Sequence, residues 1–428
     1  MNSISTSKRL PGVSLSLLGR MPRPVLSFAC QGMVSGISFI ASFLLLHYAD
    51  KGEYTTFVLF INAYALLASL QNALWLQPLV TLSGKMSRQA KSLAIRFGIW
   101  LSLVIAILGG ILFSLYQHFT LATSFLSLSG LVFLFSFMFL LVRDSNRSAW
   151  LMLGKLPGLF LHDFAYLLAF IAIAGAAWLE HSLSMVLIVL AMSLPGLMSM
   201  LARPAVEEES VGTGIDALDR QFALAVWSCA RWALPGVLVT WLFSNGYWFY
   251  LDSVEGKTMV ATLAATRLFF TPIGLMIQGW AAYYRPVFSR LEHQEAQAEK
   301  RRLIRSQGWT CSLLVSGFVL ILLALLWYPK ILPAYLPPAL FAQLVLAWGM
   351  YFLVQWLRNI FSTALLADAA GYRVVFKAGL AGGVLFYLLF IPANLLSHWL
   401  VLCPLILCAS ELFILASLWR PVFGSNAR

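Results

Sequence analysis

TMVATLAATRLFFTPIGLMIQGWAAYY, residues 258–284, holds a single charge, Arg267, in a run of twenty-seven residues. Coiled as a helix at 1.5 Å per residue, a run of this length reaches about 40 Å, more than the ~30 Å hydrocarbon core of a bilayer. The apolar residues are continuous, whereas the strands of a membrane β-barrel alternate over segments of about ten. The stretch therefore predicts a transmembrane helix with one cation held along its length. Comparable segments occur at 24–48, 55–82, 93–115, 121–142, 156–178, 183–201, 222–250, 308–328, 338–366, 378–397 and 399–419, which makes twelve with the one quoted. Composition agrees, because 60% of the 428 residues are hydrophobic and 11% are charged, against roughly a quarter charged in a soluble domain. A soluble globular protein is excluded.

The formal net charge of +12 would invite a nucleic-acid reading in a soluble chain, but here the positions of the charges decide otherwise. Counted in alternate gaps between spans, 23 of the lysines and arginines fall on one side and three, Lys51, Lys257 and Lys330, on the other. The remaining three, Arg231, Arg267 and Arg358, lie within spans. Cytoplasmic loops carry the excess of Lys and Arg, so both termini are expected in the cytoplasm and the number of spans is even. No nucleic-acid partner is expected. The first apolar segment is too long for a signal-peptide core and no small-residue cleavage site follows it, so it is predicted to remain as the first span. Cys30, Cys229, Cys311, Cys403 and Cys408 all sit in apolar stretches without CxxC or His-rich company and are expected to be small core residues, neither disulfides nor metal ligands.

Two polar gaps are longer than the rest. Residues 202–221, with Glu207, Glu208, Glu209 and a Gly212-Thr213-Gly214 turn, divide the spans six and six and are predicted to be a cytoplasmic linker between an N-lobe at 1–201 and a C-lobe at 222–428. Residues 285–307 mix both signs at helical spacing, as a solvated cytoplasmic helix would. A weak repeat supports the division: Ala73-Leu74-Trp75-Leu76-Gln77-Pro78 ends the second span and Ala281-Ala282-Tyr283-Tyr284-Arg285-Pro286 the eighth, at an offset of 208. Halves of six spans share one orientation, which corresponds to a parallel repeat about an axis along the membrane normal.

Few motifs suggest chemistry. Glu255-Gly256-Lys257-Thr258 resembles the tail of a phosphate-binding loop, but Leu251 stands where that pattern needs its first glycine. His162-Asp163 is an acid-base pair without a second histidine or carboxylate at metal spacing. No catalytic residue, metal site or cofactor is expected, and the chain is read as a non-enzyme. Gly32 and Gly36 form a GxxxG in the first span and predict a close helix crossing.

The ionisable residues inside apolar helices are more informative. A charge at the bilayer centre costs at least about 2.5 kcal/mol on insertion scales, so it normally faces a bundle interior or a watery cavity. Arg231 and Arg267 each lie about nine residues into their spans, roughly 13 Å deep. A guanidinium stays charged and forks onto phosphate oxygens, so the two are the candidate contacts for an anionic, diphosphate-like group. Arg358 is nearer the cytoplasmic end of its span. Asp163 and Glu411 are candidate sites for a coupling proton or sodium ion, or else static counter-ions for an arginine.

On these residues the sequence resembles the polysaccharide-transport branch of the multidrug/oligosaccharidyl-lipid/polysaccharide exporter superfamily. Phe28, Gln31, Ser35, Gly36 and Phe39, then Ala49 with Glu53-Tyr54 and Phe57, are similar to that family's first span and the start of its second, with Thr55 in place of the usual glycine. Ala73-Leu74 and Pro78 are similar to its end of span 2, and Arg143-Asp144 with Arg147 to its arginine-rich turn after span 4. Arg231-Trp232 through Trp241-Leu242-Phe243-Ser244-Asn245-Gly246 is similar to its span 7, and Ala265, Arg267 and Pro272 to its span 8. The resemblance implies an all-α polytopic membrane protein with two six-helix lobes around a central cavity. It also implies alternating access, moving a lipid-linked (undecaprenyl-diphosphate) oligosaccharide or polysaccharide across a bacterial cytoplasmic membrane. Arg231 and Arg267 would then contact the diphosphate, while Arg143, Arg147 and Arg358 would form a cytoplasmic entrance. The implied partners are the lipid-linked sugar, the bilayer, H+ or Na+ as coupling ion, and other polysaccharide-assembly proteins. Two other readings compete. A membrane polymerase or ligase of such sugars would need a sizeable outer loop, and the outer gaps are short. A cation-coupled multidrug exporter would be expected to place carboxylates in its cavity.

Overall fold

The protein's structure, a computed structural model, describes residues 23–76, 78–79, 86–121, 127–197, 220–293, 296–324, 336–366, 371–393 and 399–423. Its helices in chain order are α1 (Arg23–Tyr48), α2 (Lys51–Gln71, extended by a π turn at Asn72–Leu76), α3 (Arg88–Leu121), α4 (Leu128–Met152), α5 (Leu156–Leu179) and α6 (Met185–Ser193). There follow α7a (Arg220–Trp241), a second π turn (Leu242–Gly246), α7b (Tyr247–Val254), α8a (Lys257–Leu268), α8b (Thr271–His293), α9 (Gln297–Ala324), α10 (Pro338–Leu365), α11 (Gly371–Ala393) and α12 (Trp399–Phe423). Among the described residues nine helices are long and apolar enough to cross a membrane, two bent pairs supply further candidates, and the apolar helix at Met185–Leu197 is shorter. The chain is an all-α polytopic membrane protein, and the helices occupy the twelve segments read from the sequence.

Several boundaries move, for physical reasons. α4 does not end near 142 but continues to Met152, so Arg143 and Arg147, expected in a turn, stand inside a helix. Both are matched there by acidic partners (below), so polarity does not end the helix. The segment at 285–307 is not a separate solvated helix: α8b runs on to His293 and α9 begins at Gln297, with Lys300 and Ile304 buried. The crossing expected at Gly32 and Gly36 is not seen among the described residues, where a Cβ added at either glycine would meet nothing within 4 Å. Most of the linker, 202–219, and Lys330 lie outside the described residues. Among the described residues no group of His, Cys, Asp and Glu could hold a metal ion.

Turn chemistry fixes where helices start. Asp50 caps α2, its Oδ1 accepting from the Glu53 N–H at 2.8 Å, and Ser127 and Ser184 cap α4 and α6 in the same manner. Gly256, with φ +81°, makes the tight turn between α7b and α8a in a backbone region that other residues rarely adopt. Pro235 within α7a cannot donate to the Arg231 carbonyl one turn back, and the chain bends by 40° across the residues between Ser228 and Ala233.

Helices α1 to α6 pack chiefly on one another, as do α7a to α12. Phenylalanines fill the first group: Phe60 of α2 stacks on Phe137 of α4 with centroids 4.9 Å apart, and Phe113 of α3 meets both edge-on. The second is built on α10, which lies against α8a, α8b, α9 and α12, with Phe352 stacked on Phe270 at 5.1 Å. The groups meet along a seam where α2 contacts α7a and α8a, and α1 contacts α8a and α8b. Side-chain hydrogen bonds tie this seam at the end marked by Lys51 and Lys257. There the Thr55 hydroxyl donates to the Lys257 carbonyl at 2.8 Å and the Tyr116 hydroxyl to Asp252 at 2.9 Å.

Candidate functional site

The seam holds an open cavity of about 340 Å3 between α1 and α2 on one side and α7b, α8a, α8b and α10 on the other. Its polar lining consists of Ser35, Ser38 and Ser42 from α1, Tyr54 and Asn62 from α2, Arg267 from α8a, and Thr271 and Gln278 from α8b. Among the described residues Arg267 is the one charged residue in that lining, and no carboxylate shares it. The serines fall at 35, 38 and 42, spacings that bring residues onto one face of a helix.

Arg267 stands at the end of α8a, ten residues past Lys257 and so about 15 Å along the helix. The chain breaks after it, and α8a and α8b are bent by 56°. A helix C-terminus carries partial negative charge and favours a cation there. Pro272, in the first turn of α8b, has no N–H to satisfy and suits the restart. Irregular backbone at membrane depth is tolerated where it lines a cavity, and this break does so through Leu268, Phe270 and Thr271.

The surroundings of Arg267 are aromatic. Its guanidinium carbon lies 5.6 Å from the ring centre of Trp248 and 5.7 Å from that of Trp348. Nη1 donates to the Ser244 carbonyl at 3.4 Å and to the Tyr247 hydroxyl at 3.3 Å, both long bonds. Trp348 is itself held in place by donating Nε1–H to Thr266 Oγ1 at 3.2 Å. Ring faces stabilise a cation by about 0.5–2 kcal/mol without consuming its hydrogen-bond donors. Of the five N–H donors of a guanidinium, those on Nε and Nη2 have no protein acceptor among the described residues.

Three other arginines inside the bundle, Arg143, Arg147 and Arg358, are each paired with a carboxylate of their own helix group. Arg143 is buried, bonded to Asp144 through Nε at 3.1 Å and Nη2 at 2.8 Å, and its guanidinium carbon sits 4.6 Å from the Tyr166 ring centre. The Tyr64 hydroxyl donates to Asp144 and accepts from Arg143 at 3.0 Å. One turn further along α4, Arg147 Nε donates to both oxygens of the fully buried Asp163 at 3.0 and 3.1 Å, and His162 Nδ1 lies 3.2 Å from the same carboxylate. In the second group Arg358 grips Glu411, also fully buried, with Nε and Nη2 at 2.8 and 3.0 Å. Arg143, Arg147 and Arg358, expected to form an entrance, are thus each engaged with a carboxylate, and Asp163 and Glu411 are the partners of two of them.

Arg231 and Arg267, expected to act together, are not brought to one cavity. Arg231 is exposed on α7a and is not part of the Arg267 lining. Reading of the sequence missed the aromatic walls Trp248 and Trp348, Asn62, Gln278 and the serine face of α1. Only the serines left a signal, as three hydroxyls at helical spacing in an otherwise apolar span.

No protein-family profile matches the sequence, and no curated protein does. Solved structures match over nearly the whole chain. A multidrug resistance MATE family transporter of the MOP superfamily, in an inward-facing conformation, has a TM-score of 0.65 at 12% identity, covering 96% of this chain and 98% of its own. The lipid II flippase MurJ, in an inward closed conformation, has a TM-score of 0.66 at 10% identity, covering 93% and 87%. A MOP superfamily transporter from Pyrococcus furiosus, described as having a binding pocket of reverse polarity and a different function, has a TM-score of 0.62 at 12% identity, covering 98% and 100%. At these identities the likeness is one of fold, and the fold is that of MOP superfamily transporters.

Proposed function

We propose that this chain is a transporter that carries an amphiphile with an anionic head group across the membrane, the head group passing through the Arg267 cavity as the two helix groups open alternately to either side. The substrate class is the lipid-linked oligosaccharides, whose diphosphate suits a guanidinium with open donors. The observation that carries this reading is a cavity whose single charge among the described residues is a cation without a carboxylate partner among them. A cation exporter needs the opposite sign there. Among the structural neighbours one is named as a lipid II flippase and another as a multidrug resistance transporter, so both a lipid and a drug substrate occur on this fold. A polymerase or ligase reading finds less support, because the described connections at the Lys51 and Lys257 end are short, with α1 and α2 joined by two residues.

In this reading both termini and the Arg-rich loops face the cytoplasm, the membrane is the bacterial inner membrane, and substrate moves outward. Residues 1–201 and 222–428 act as the two moving lobes. Arg231 lies off the cavity in the present arrangement and contributes to the head group's path in another. The test is binding of inorganic diphosphate and of a fluorescent lipid diphosphate to the full chain in nanodiscs, with ethidium as the competing cationic ligand. Binding of the diphosphates, lost in Arg267→Ala and partly kept in Arg267→Lys, is expected. Saturable ethidium binding that survives Arg267→Ala, with no diphosphate binding, would replace this reading with that of a cation exporter.

A further inference from the structure

A second cavity, of about 310 Å3, lies between α2, α7a and α11, on the other side of the π turn at Leu242–Gly246. Among the described residues its lining holds no charged residue. Most of the lining is small and branched apolar side chains, among them Ala65, Gly236, Val239 and Gly379, with Trp241 beside them and Ser69, Thr240, Ser244 and Asn245 as its uncharged polar members. Two contacts separate it from the Arg267 cavity. Ser244 lines the apolar cavity while its carbonyl accepts from Arg267. Trp241 also lines the apolar cavity, and its indole N–H donates at 2.9 Å to the carbonyl of Asn62, which lines the charged one. Two direct hydrogen bonds, Trp241 to Asn62 and Arg267 to Ser244, thus join the lining of the cation-lined compartment to that of the mainly apolar one.

We infer that the two form one bipartite site for an amphiphile: the anionic group at Arg267 and the first part of its hydrocarbon chain in the apolar cavity, with Trp241 as the movable partition. This rests on the head-group reading above and extends it to the chain. The occupant is a hydrocarbon joined to an anion, because an apolar solute alone would leave Arg267 unused and an inorganic anion alone would leave the second compartment empty. The volume falls at the lower end of the ~300–1,000 Å3 range of small-molecule sites, so it takes the start of a long chain and the remainder passes to the bilayer. The π turn that follows Trp241 suits such a role. A π turn is a wide, locally strained piece of helix that recurs at functional sites, and its Leu242 carbonyl is already engaged by the Tyr387 hydroxyl of α11 at 2.8 Å. The cavity can also be filled deliberately, since a Cβ at Gly236 meets nothing within 4 Å and one at Gly379 meets nothing within 4 Å.

The test is calorimetric binding of three water-soluble probes, inorganic diphosphate, isopentenyl diphosphate and geranyl diphosphate, to the full chain in nanodiscs, with empty nanodiscs subtracted. Each buried methylene is worth roughly fourfold in affinity, so geranyl diphosphate is expected to bind at least about tenfold more tightly than inorganic diphosphate. Gly379→Leu and, separately, Gly236→Leu should bring geranyl diphosphate down to the affinity of inorganic diphosphate. Inorganic diphosphate binding with no gain along the series in the unaltered protein would overturn the bipartite site and leave the head-group reading standing. No diphosphate binding at all would overturn both. A geranyl diphosphate bearing a photoreactive tail provides a readout independent of folding in the variants: crosslinks on α7a or α11 near Val239 and Phe376 are expected, and crosslinks only on lipid-facing surfaces would refute the placement.

Discussion

Glu411 lies in the middle of α12 with no exposed surface, and both its oxygens are taken by Arg358 of α10 at 2.8 and 3.0 Å. Replacing Glu411 with Ala removes the carboxylate and leaves a guanidinium whose side chain is 19% exposed. Breaking a buried ion pair by removing one partner costs about 3–5 kcal/mol, because the survivor keeps its desolvation penalty without its compensation. The expected loss of folded-state stability is therefore a factor of about 10² to 10⁴ in the folding equilibrium, at 1.4 kcal/mol per tenfold. Arg358→Ala should lose a similar amount for the mirror reason. The double variant Arg358→Met with Glu411→Leu removes both charges and restores apolar volume, and such replacements are neutral or stabilising by about 1–4 kcal/mol in other proteins. Reversible unfolding in mixed micelles, followed by tryptophan fluorescence for the four corners of the cycle, measures the coupling. Additive single effects, with the double variant the least stable of the four, would refute the assignment of Glu411 as the static counter-ion of Arg358. Transport by the double variant at near the unaltered rate is expected, because on this argument neither group carries a coupling ion.

Asp163 gives the corresponding test in the first helix group: Asp163→Asn should lose stability by about 3 kcal/mol, and adding Arg147→Gln should recover most of it. The pH profile of transport in the pair variant should match that of the unaltered protein, and a displaced profile would make Asp163 a titrating coupling site. At the Lys51 and Lys257 end, cysteines at Thr55 and Lys257, joined by a short reducible thiol reagent, should halt transport and release it on reduction, because the Thr55 to Lys257 bond crosses the seam there. Full transport in the crosslinked protein would mean that the seam does not open at that end.

The sequence made the spans legible because a bilayer imposes a length and a composition on every helix that crosses it, and those are local properties. Boundaries were less legible where polar residues find partners inside the bundle. α4 continues past Arg143 and Arg147 because Asp144, Tyr64 and Asp163 receive their donors, and two of these three come from other helices. The GxxxG at Gly32 and Gly36 gave no crossing among the described residues, since two glycines at this spacing permit a close approach without supplying a partner. Arg267 was legible as a candidate because a lone cation in a long apolar run must face something polar. Its aromatic cradle was not, since Trp248 and Trp348 come from two other helices and look in sequence like ordinary apolar residues. The pairing of arginines with acids was open from sequence, where Asp163 and Glu411 could serve any of several guanidinium groups.

That distribution of charge bears on how a transporter of this fold could work. Arg143, Arg147 and Arg358 each have an acid within their own helix group, so in the proposed alternating access each group would keep its ion pairs intact. Arg267 differs because it stands on the seam and has two aromatic faces and two hydrogen bonds of 3.3 and 3.4 Å in place of a carboxylate. A carboxylate partner would have to be displaced by an incoming anion and would recapture the arginine as the anion left, so binding would be weak and strongly salt-dependent. A cradle of ring faces holds the guanidinium in position whether or not an anion is bound. Tight capture alone would stall transport, however, and release requires that the site be weakened in the other conformation. The bend of 56° between α8a and α8b places Arg267 at the joint of a broken helix, where a modest rotation of one segment changes the direction of its donors. On the proposed function, anion affinity should therefore track the angle between α8a and α8b.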